Sequence, residues 1–109
     1  MKKADKYLNE LKKMFQSVGV NKFKMLEPHL RNIAFMKAKL EELEVMIEED
    51  GLVETYQNGE NQFGKKPSTA VKTYNDIIKS FVNETKFVES YLPADSKESK
   101  LSMLSKLDA

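Results

Sequence analysis

Apolar residues recur at three- and four-residue steps in three separate stretches of the chain, which predicts three amphipathic helices. In the first, Leu8, Leu11, Phe15 and Val18 form one stripe with Tyr7 and Met14 beside it, over about Lys3 to Ser17. Gly19 supplies a helix stop. In the second, Leu26, Ile33, Met36, Leu40, Leu43 and Ile47 are separated by steps of seven, three and four, a heptad-like seam that His29 also joins. That helix ends near Glu49, before Asp50-Gly51. Its start has two readings. Asn21 can cap a helix that begins near Lys22 and is kinked at Pro28, or Pro28 sits in the first turn of a helix that begins near Glu27. In the third stretch, Val71, Tyr74, Ile78, Phe81, Thr85, Val88 and Leu92 make a second seam that opens at Pro67-Ser68 and closes at Leu92-Pro93.

Between the second and third helices lies a polar connector, residues 51–66, that holds Gly51, Gly59 and Gly64. Leu52, Glu54 and Tyr56 followed by Asn58-Gly59 predict a short strand entering a two-residue turn, with Glu60 to Phe63 as the returning arm. Such a hairpin is marginal alone, so Tyr56 or Phe63 is expected to dock on the helices. After Pro93, Asp95 and Glu98 can form a capping box. Leu101, Leu104 and Leu107 then share one side of a short C-terminal helix, too short to be stable by itself, whose leucines await a partner.

The pattern predicts an all-α fold. It is an antiparallel helical hairpin of two long helices plus an N-terminal helix and a short C-terminal helix, with a small β-hairpin in the connector. One helical domain over residues 1–93 is expected. Residues 1–25 form its basic N-terminal helix and 26–93 its hairpin, followed by a partner-binding tail at 94–109. Two long seams leave more apolar surface than one hairpin covers, so self-association is expected through Ile33, Leu40, Leu43, Ile47, Tyr74, Ile78 and Phe81.

Charge sharpens this picture. The 109 residues carry a net charge of only +1, but unevenly. Residues 1–25 hold seven lysines (Lys2, Lys3, Lys6, Lys12, Lys13, Lys22 and Lys24) against Asp5 and Glu10, net +5. Residues 26–50 hold three basic and seven acidic side chains, net −4. The basic end attracts phosphates and the acidic segment does not. Lys2, Lys6 and Lys13 fall opposite the apolar stripe of the first helix. Lys65, Lys66, Lys72 and Lys79 make a second, weaker candidate for phosphate contact around the start of the third helix. The basic segment contains no arginine, which argues against bidentate reading of guanine there.

Candidate chemistry is sparse. There is no cysteine and a single histidine, which removes disulfides and disfavours a structural zinc site. His29 lacks the sequence partners of a catalytic or metal-bound histidine. No phosphate-binding glycine loop, acidic metal cluster or nucleophile–base pair is visible, so neither a catalytic site, a metal nor a cofactor is expected. No run of about 18 apolar residues occurs, so no membrane partner is expected either. The absence of cysteine suits a cytosolic protein.

The run from Gly51 to Pro93 resembles the small subunit of tailed-phage and prophage terminases, in their short small-subunit family. The resemblance rests on Gly51, Tyr56-Gln57-Asn58-Gly59, Gln62-Phe63-Gly64, Lys66-Pro67-Ser68, Lys72-Thr73-Tyr74-Asn75, Ile78-Lys79 and Leu92-Pro93. It extends more loosely back to about residue 20. It implies a non-catalytic DNA-packaging factor in the cytoplasm of a bacterial host. Such a factor binds double-stranded phage DNA as a homo-oligomer and presents it to a terminase large subunit that holds the ATPase and nuclease. Many such subunits carry an N-terminal helix-turn-helix. Here only about 20 residues precede the second helix, too few for a complete one. The DNA contacts are therefore assigned to Lys2, Lys3, Lys6, Lys12, Lys13, Lys22, Lys24, Lys65 and Lys66, and the large-subunit contact to Leu101, Leu104 and Leu107. The alternative is a protein-interaction helical hairpin or small regulator with no nucleic-acid role.

Overall fold

The computed structural model describes residues 2–93; the expected C-terminal helix and its leucines lie outside them. Three helices and one β-hairpin follow in the order α1 (Lys3–Met14), a 3-10 turn (Gln16–Val18), α2 (Val20–Asp50), β1 (Val53–Gln57), β2 (Phe63–Pro67) and α3 (Thr69–Glu89). The described chain is elongated, 62 × 26 × 24 Å.

α2 is the spine. At 31 residues it is about 46 Å long, against about 18 Å for the 12-residue α1. Both α1 and α3 pack on it, each running back along it. The Tyr7 hydroxyl donates to Glu41 Oε1, which ties the start of α1 to the middle of α2. His29 near the start of α2 meets Glu84 and Phe87 near the end of α3. The core is one cluster from all three helices: Tyr7, Leu11 and Phe15 of α1 and its turn, Leu26, Leu30, Ile33, Ala34 and Leu40 of α2, and Phe81, Val88 and Leu92 of α3 and its end. The predicted stripes are the faces that meet there.

Beyond Glu41 no third helix among the described residues covers the hairpin. Leu43 and Ile47 of α2 and Tyr74 and Ile78 of α3 are only half-buried, and Val45 and Met46 are exposed. The described residues thus form a three-helix bundle at one end and a two-helix arm, tipped by the β-hairpin, at the other.

Of the two readings of the second helix, the early start holds. α2 begins at Val20, and Pro28 is its ninth residue, facing solvent. Proline removes one intrahelical bond there, the one that the Lys24 carbonyl would accept. Asn21 is not the cap; Gly19 is, at φ +101° and ψ 154°, a conformation that suits glycine alone, and its carbonyl accepts the Phe23 N–H at 2.9 Å. The helix ends at Gly51, φ +88°, whose N–H closes on the Ile47 carbonyl at 2.8 Å.

The connector differs from expectation in its turn and its anchor. The strands pair from Val53↔Pro67 to Gln57↔Phe63, so five residues, 58–62, make the loop rather than Asn58-Gly59 alone. Asn58 N–H donates to the Gln62 carbonyl at 2.7 Å, with Gly59 at φ +101° inside. The returning strand therefore starts at Phe63. Neither aromatic docks on the helices: Phe63 is 66% exposed, and Tyr56, 43% exposed, lies across Gly64 of the opposite strand. The hairpin is held instead at its base. Ser68 N–H donates to the Leu52 carbonyl at 2.9 Å, and the buried Ser68 hydroxyl caps α3 by accepting from Val71 N–H at 3.1 Å.

Two stability outcomes follow from this packing. Leu30→Ala removes a fully buried side chain from the cluster and is expected to lower unfolding free energy by about 2–5 kcal/mol. Phe63→Ser is expected to change it by less than about 0.5 kcal/mol. Conversely, Thr85 is 3% exposed and its hydroxyl has no hydrogen-bond partner among the described residues. Thr85→Val keeps the shape and removes the unpaired group, and should raise stability by about 1 kcal/mol. Urea titration of the three variants checks all these values.

Candidate nucleic-acid interface

The fold separates the nine lysines assigned to DNA into three groups. Lys2 and Lys3 lie at the start of α1, beside the acidic middle of α2. Lys3 Nζ is 3.7 Å from Glu41 Oε2, and both lysines share a groove with Phe35, Lys39 and Glu42. Lys12 and Lys13 lie at the other end of α1, about 15 Å away by helical rise, and face the closed end of the bundle with Lys22 and Lys24 of α2. Lys65 and Lys66 lie on β2, on the arm. Lys6 falls between the first two groups.

Of the nine, only Lys3 and Lys66 form ion pairs among the described residues. Lys12 is half-buried and the other eight are exposed. Lys6 and Lys13 share the outer face of α1, opposite buried Tyr7, Leu11 and Phe15, while Lys2, which precedes the helix in extended conformation, lines the groove against α2. That face is available to a polyanion along its length. It is narrower than a patch of +5, because Lys3 is answered by Glu41. Linear counting of charge gave no hint of this, since Glu41 is 38 residues away in sequence and meets α1 only through packing.

The seam residues divide as well. Ile33, Leu40 and Phe81 are buried within the chain's own core, whereas Leu43, Ile47, Tyr74 and Ile78 keep an open side. The apolar surface these seam residues leave open is concentrated on the arm. His29 is a packing residue between helices: Nδ1 is 2.7 Å from Glu84 Oε2, and the ring stands 4.8 Å from that of Phe87.

The base of the hairpin carries a carboxyl with a perturbed acidity. The Thr69 backbone N–H donates to Glu54 at 3.4 Å and its hydroxyl at 3.2 Å, and Lys66 Nζ stands 3.4 Å away across the strand pair. These contacts, the backbone N–H first, hold the Glu54 carboxyl below its ordinary value. Lys66 also lies 5.9 Å from the centre of the Tyr56 ring. Glu54 thus pins the strand to the start of α3.

Sequence-based expectations passed over Lys86. Lys72, Lys79 and Lys86 recur every seven residues, all exposed on the face of α3 opposite Phe81 and Val88. The spacing was legible; the face became identifiable once the buried side of α3 was known.

Among the described residues no group of three His, Cys, Asp or Glu side chains is placed to hold a metal ion, and no helix is long and apolar enough to cross a membrane. Comparisons with protein-family models, with curated proteins and with solved structures give no match for this chain.

The Glu54 contacts set a pH dependence with a definite sign. A carboxyl lowered in the folded state stabilises the strand–helix junction above the ordinary carboxylate range, and that contribution is lost as pH falls through the folded value. The Thr69 amide resonance should titrate below the ordinary glutamate range, and Glu54→Gln should abolish the titration; two-dimensional NMR between about pH 2 and pH 6 measures it.

Proposed function

We propose that this chain is a non-catalytic, double-stranded-DNA-binding subunit that works as a homo-oligomer. More particularly, we read it as a terminase small subunit of a tailed phage or prophage. It engages phage DNA in the host cytoplasm and presents it to the terminase large subunit, which supplies the ATPase and nuclease.

The observation that carries this reading is the run Gly51–Pro93. Its resembling residues have separate physical tasks in one local unit. Gly51 ends α2, Tyr56 covers Gly64 across the strand pair, and Lys66 reaches Glu54 at the hairpin base. Ser68 caps α3, and Tyr74 and Ile78 lie on its inner side. Two further features agree with it. The outer face of α1 carries exposed lysines on a side that makes no contribution to the core. The two-helix arm leaves Leu43, Ile47, Tyr74 and Ile78 half-covered, as a self-associating hairpin requires. Leu101, Leu104 and Leu107 are the proposed contact for the large subunit, on sequence alone.

A second reading has its own observation. Phe35, 57% exposed, and Met46, 45% exposed, lie on the outer side of α2 about three turns apart, a pattern that also fits a protein-interaction hairpin with no nucleic-acid role.

Light scattering of the purified protein with and without duplex DNA separates the two readings. The packaging subunit is expected to be oligomeric and to gain mass with DNA; a monomer at high micromolar concentration that ignores DNA rejects it. The combined variant Lys2→Glu, Lys6→Glu and Lys13→Glu should weaken binding and flatten its salt dependence while leaving the oligomer intact, read by fluorescence anisotropy at two salt concentrations. Equal affinity and slope would leave those lysines as solvation only. Removal of residues 94–109 should abolish capture of the large subunit while the helical circular dichroism of residues 2–93 persists.

A further inference from the structure

The solvent face of α3 carries a row of lysines that the outer side of α2 lacks. Looking down its axis, the positions opposite Phe81, Thr85 and Val88 are Lys72, Asn75, Asp76, Lys79, Asn83, Lys86 and Ser90. Every one is polar, and the lysines and Asp76 are exposed. Three are cationic and one is acidic. None of Lys72, Lys79 and Lys86 forms an ion pair among the described residues, whereas Lys39 on the outer side of α2 is held by Glu42 at 3.2 Å. The lysines follow one another at about 10.5 Å, and the row from Lys72 to Lys86 is about 21 Å long. At the hairpin end it continues into a groove lined by Lys66, Pro67, Thr69, Lys72, Asn75 and Asp76.

We propose that this face of α3, with the groove at its start, is a second DNA-backbone contact surface, separate from α1; the proposal rests on the DNA-binding reading given above. Charge complementarity favours the phosphate backbone as occupant. Duplex DNA offers a negative charge about every 1.7 Å of its axis, so lysines about 10.5 Å apart each find their own phosphate without strict register. Asn75 and Asn83 lie between them, and amide side chains donate to phosphate oxygens. A protein partner is disfavoured by the composition of the row. It has no apolar anchor between Lys72 and Lys86, and lysine is depleted from the centres of protein interfaces. The surface carries no arginine, so it holds the duplex without reading guanine. With α1 on another side of α2, each subunit would grip the duplex at two places, and an oligomer would multiply both.

Asp76 gives the test a direction that damage to the fold does not mimic. It is the one negative charge in the row, so Asp76→Asn should strengthen binding of a fluorescein-labelled duplex of mixed sequence severalfold. The combined variant Lys72→Gln, Lys79→Gln and Lys86→Gln should weaken it on the order of tenfold or more at low salt. The same variant should flatten the dependence of log affinity on log salt by up to about 2.7 per bound subunit, at about 0.9 for each phosphate that is no longer neutralised. Anisotropy across a series of salt concentrations reads both, with circular dichroism and light scattering on each variant. If wild type binds the duplex and neither variant changes affinity or slope, this surface is not a DNA contact, while the packaging reading stands. If the lysine variant dissociates the oligomer and its slope per subunit is unchanged, the row is a contact between copies and the proposal is overturned. If wild type fails to bind duplex DNA at any salt, the packaging reading falls, and this proposal with it.

Discussion

The mismatch in length between α1 and α2 governs the rest of the molecule. An α-helix of 12 residues cannot cover one of 31. Where α1 lies, Leu26, Leu30, Ile33 and Leu40 find partners on two sides and are buried. Past Glu41 the only cover among the described residues is α3, and the same seam is left half-open at Leu43 and Ile47. A single amphipathic pattern thus produces a closed bundle at one end and an arm at the other. The hydrophobic effect is non-directional, so the open stretch is as ready to bury its apolar surface as the closed one. Among the described residues it lacks a third helix from its own chain.

The β-hairpin at the tip is a consequence of how α2 stops and α3 starts. Gly51 turns the chain out of α2 at positive φ, and Ser68 restarts it as an N-cap. Between them the strands have no core to pack on. Main-chain pairing, the Tyr56 ring over Gly64, and the Glu54–Thr69–Lys66 contacts at the base hold them. These are polar or shallow contacts in water, each of modest strength. The structure has its deep burial in the bundle and its half-open apolar residues on the arm.

Charge is sorted by the same geometry. Because α1 runs back along α2, its first turn meets the acidic residues at the middle of α2, and part of the basic excess of residues 1–25 is neutralised inside the subunit at Lys3–Glu41. α3 faces the opposite way. Its Glu84 is turned inward to His29, so the outward lysines are left with Asp76 alone among them. The outer faces of α1 and α3 thus both keep exposed lysines outside any ion pair among the described residues, Lys6 and Lys13 on the first and Lys72, Lys79 and Lys86 on the second.

Local sequence signals were enough to determine the three helices, the stripe each would bury, the glycine stop at Gly51, the start of α3 at Ser68 and the presence of strands in the connector. Each of these is decided within a few residues, by side-chain spacing or by a backbone conformation that glycine alone adopts readily. Gly19, expected to stop the first helix, instead opens α2 after α1 has ended at Met14. Other features required the tertiary structure. Pro28 could open a helix or interrupt one, and the burial of Leu26 in the core cluster supports helix on its N-terminal side. The loop of the β-hairpin took five residues because pairing register is a contact between strands, which turn residues alone do not fix. Which lysines stay free, and which seam residues stay open, depended on where α1 ends along α2. That point lies in no single stretch of sequence, because it is set by packing between residues as far apart as Tyr7 and Glu41.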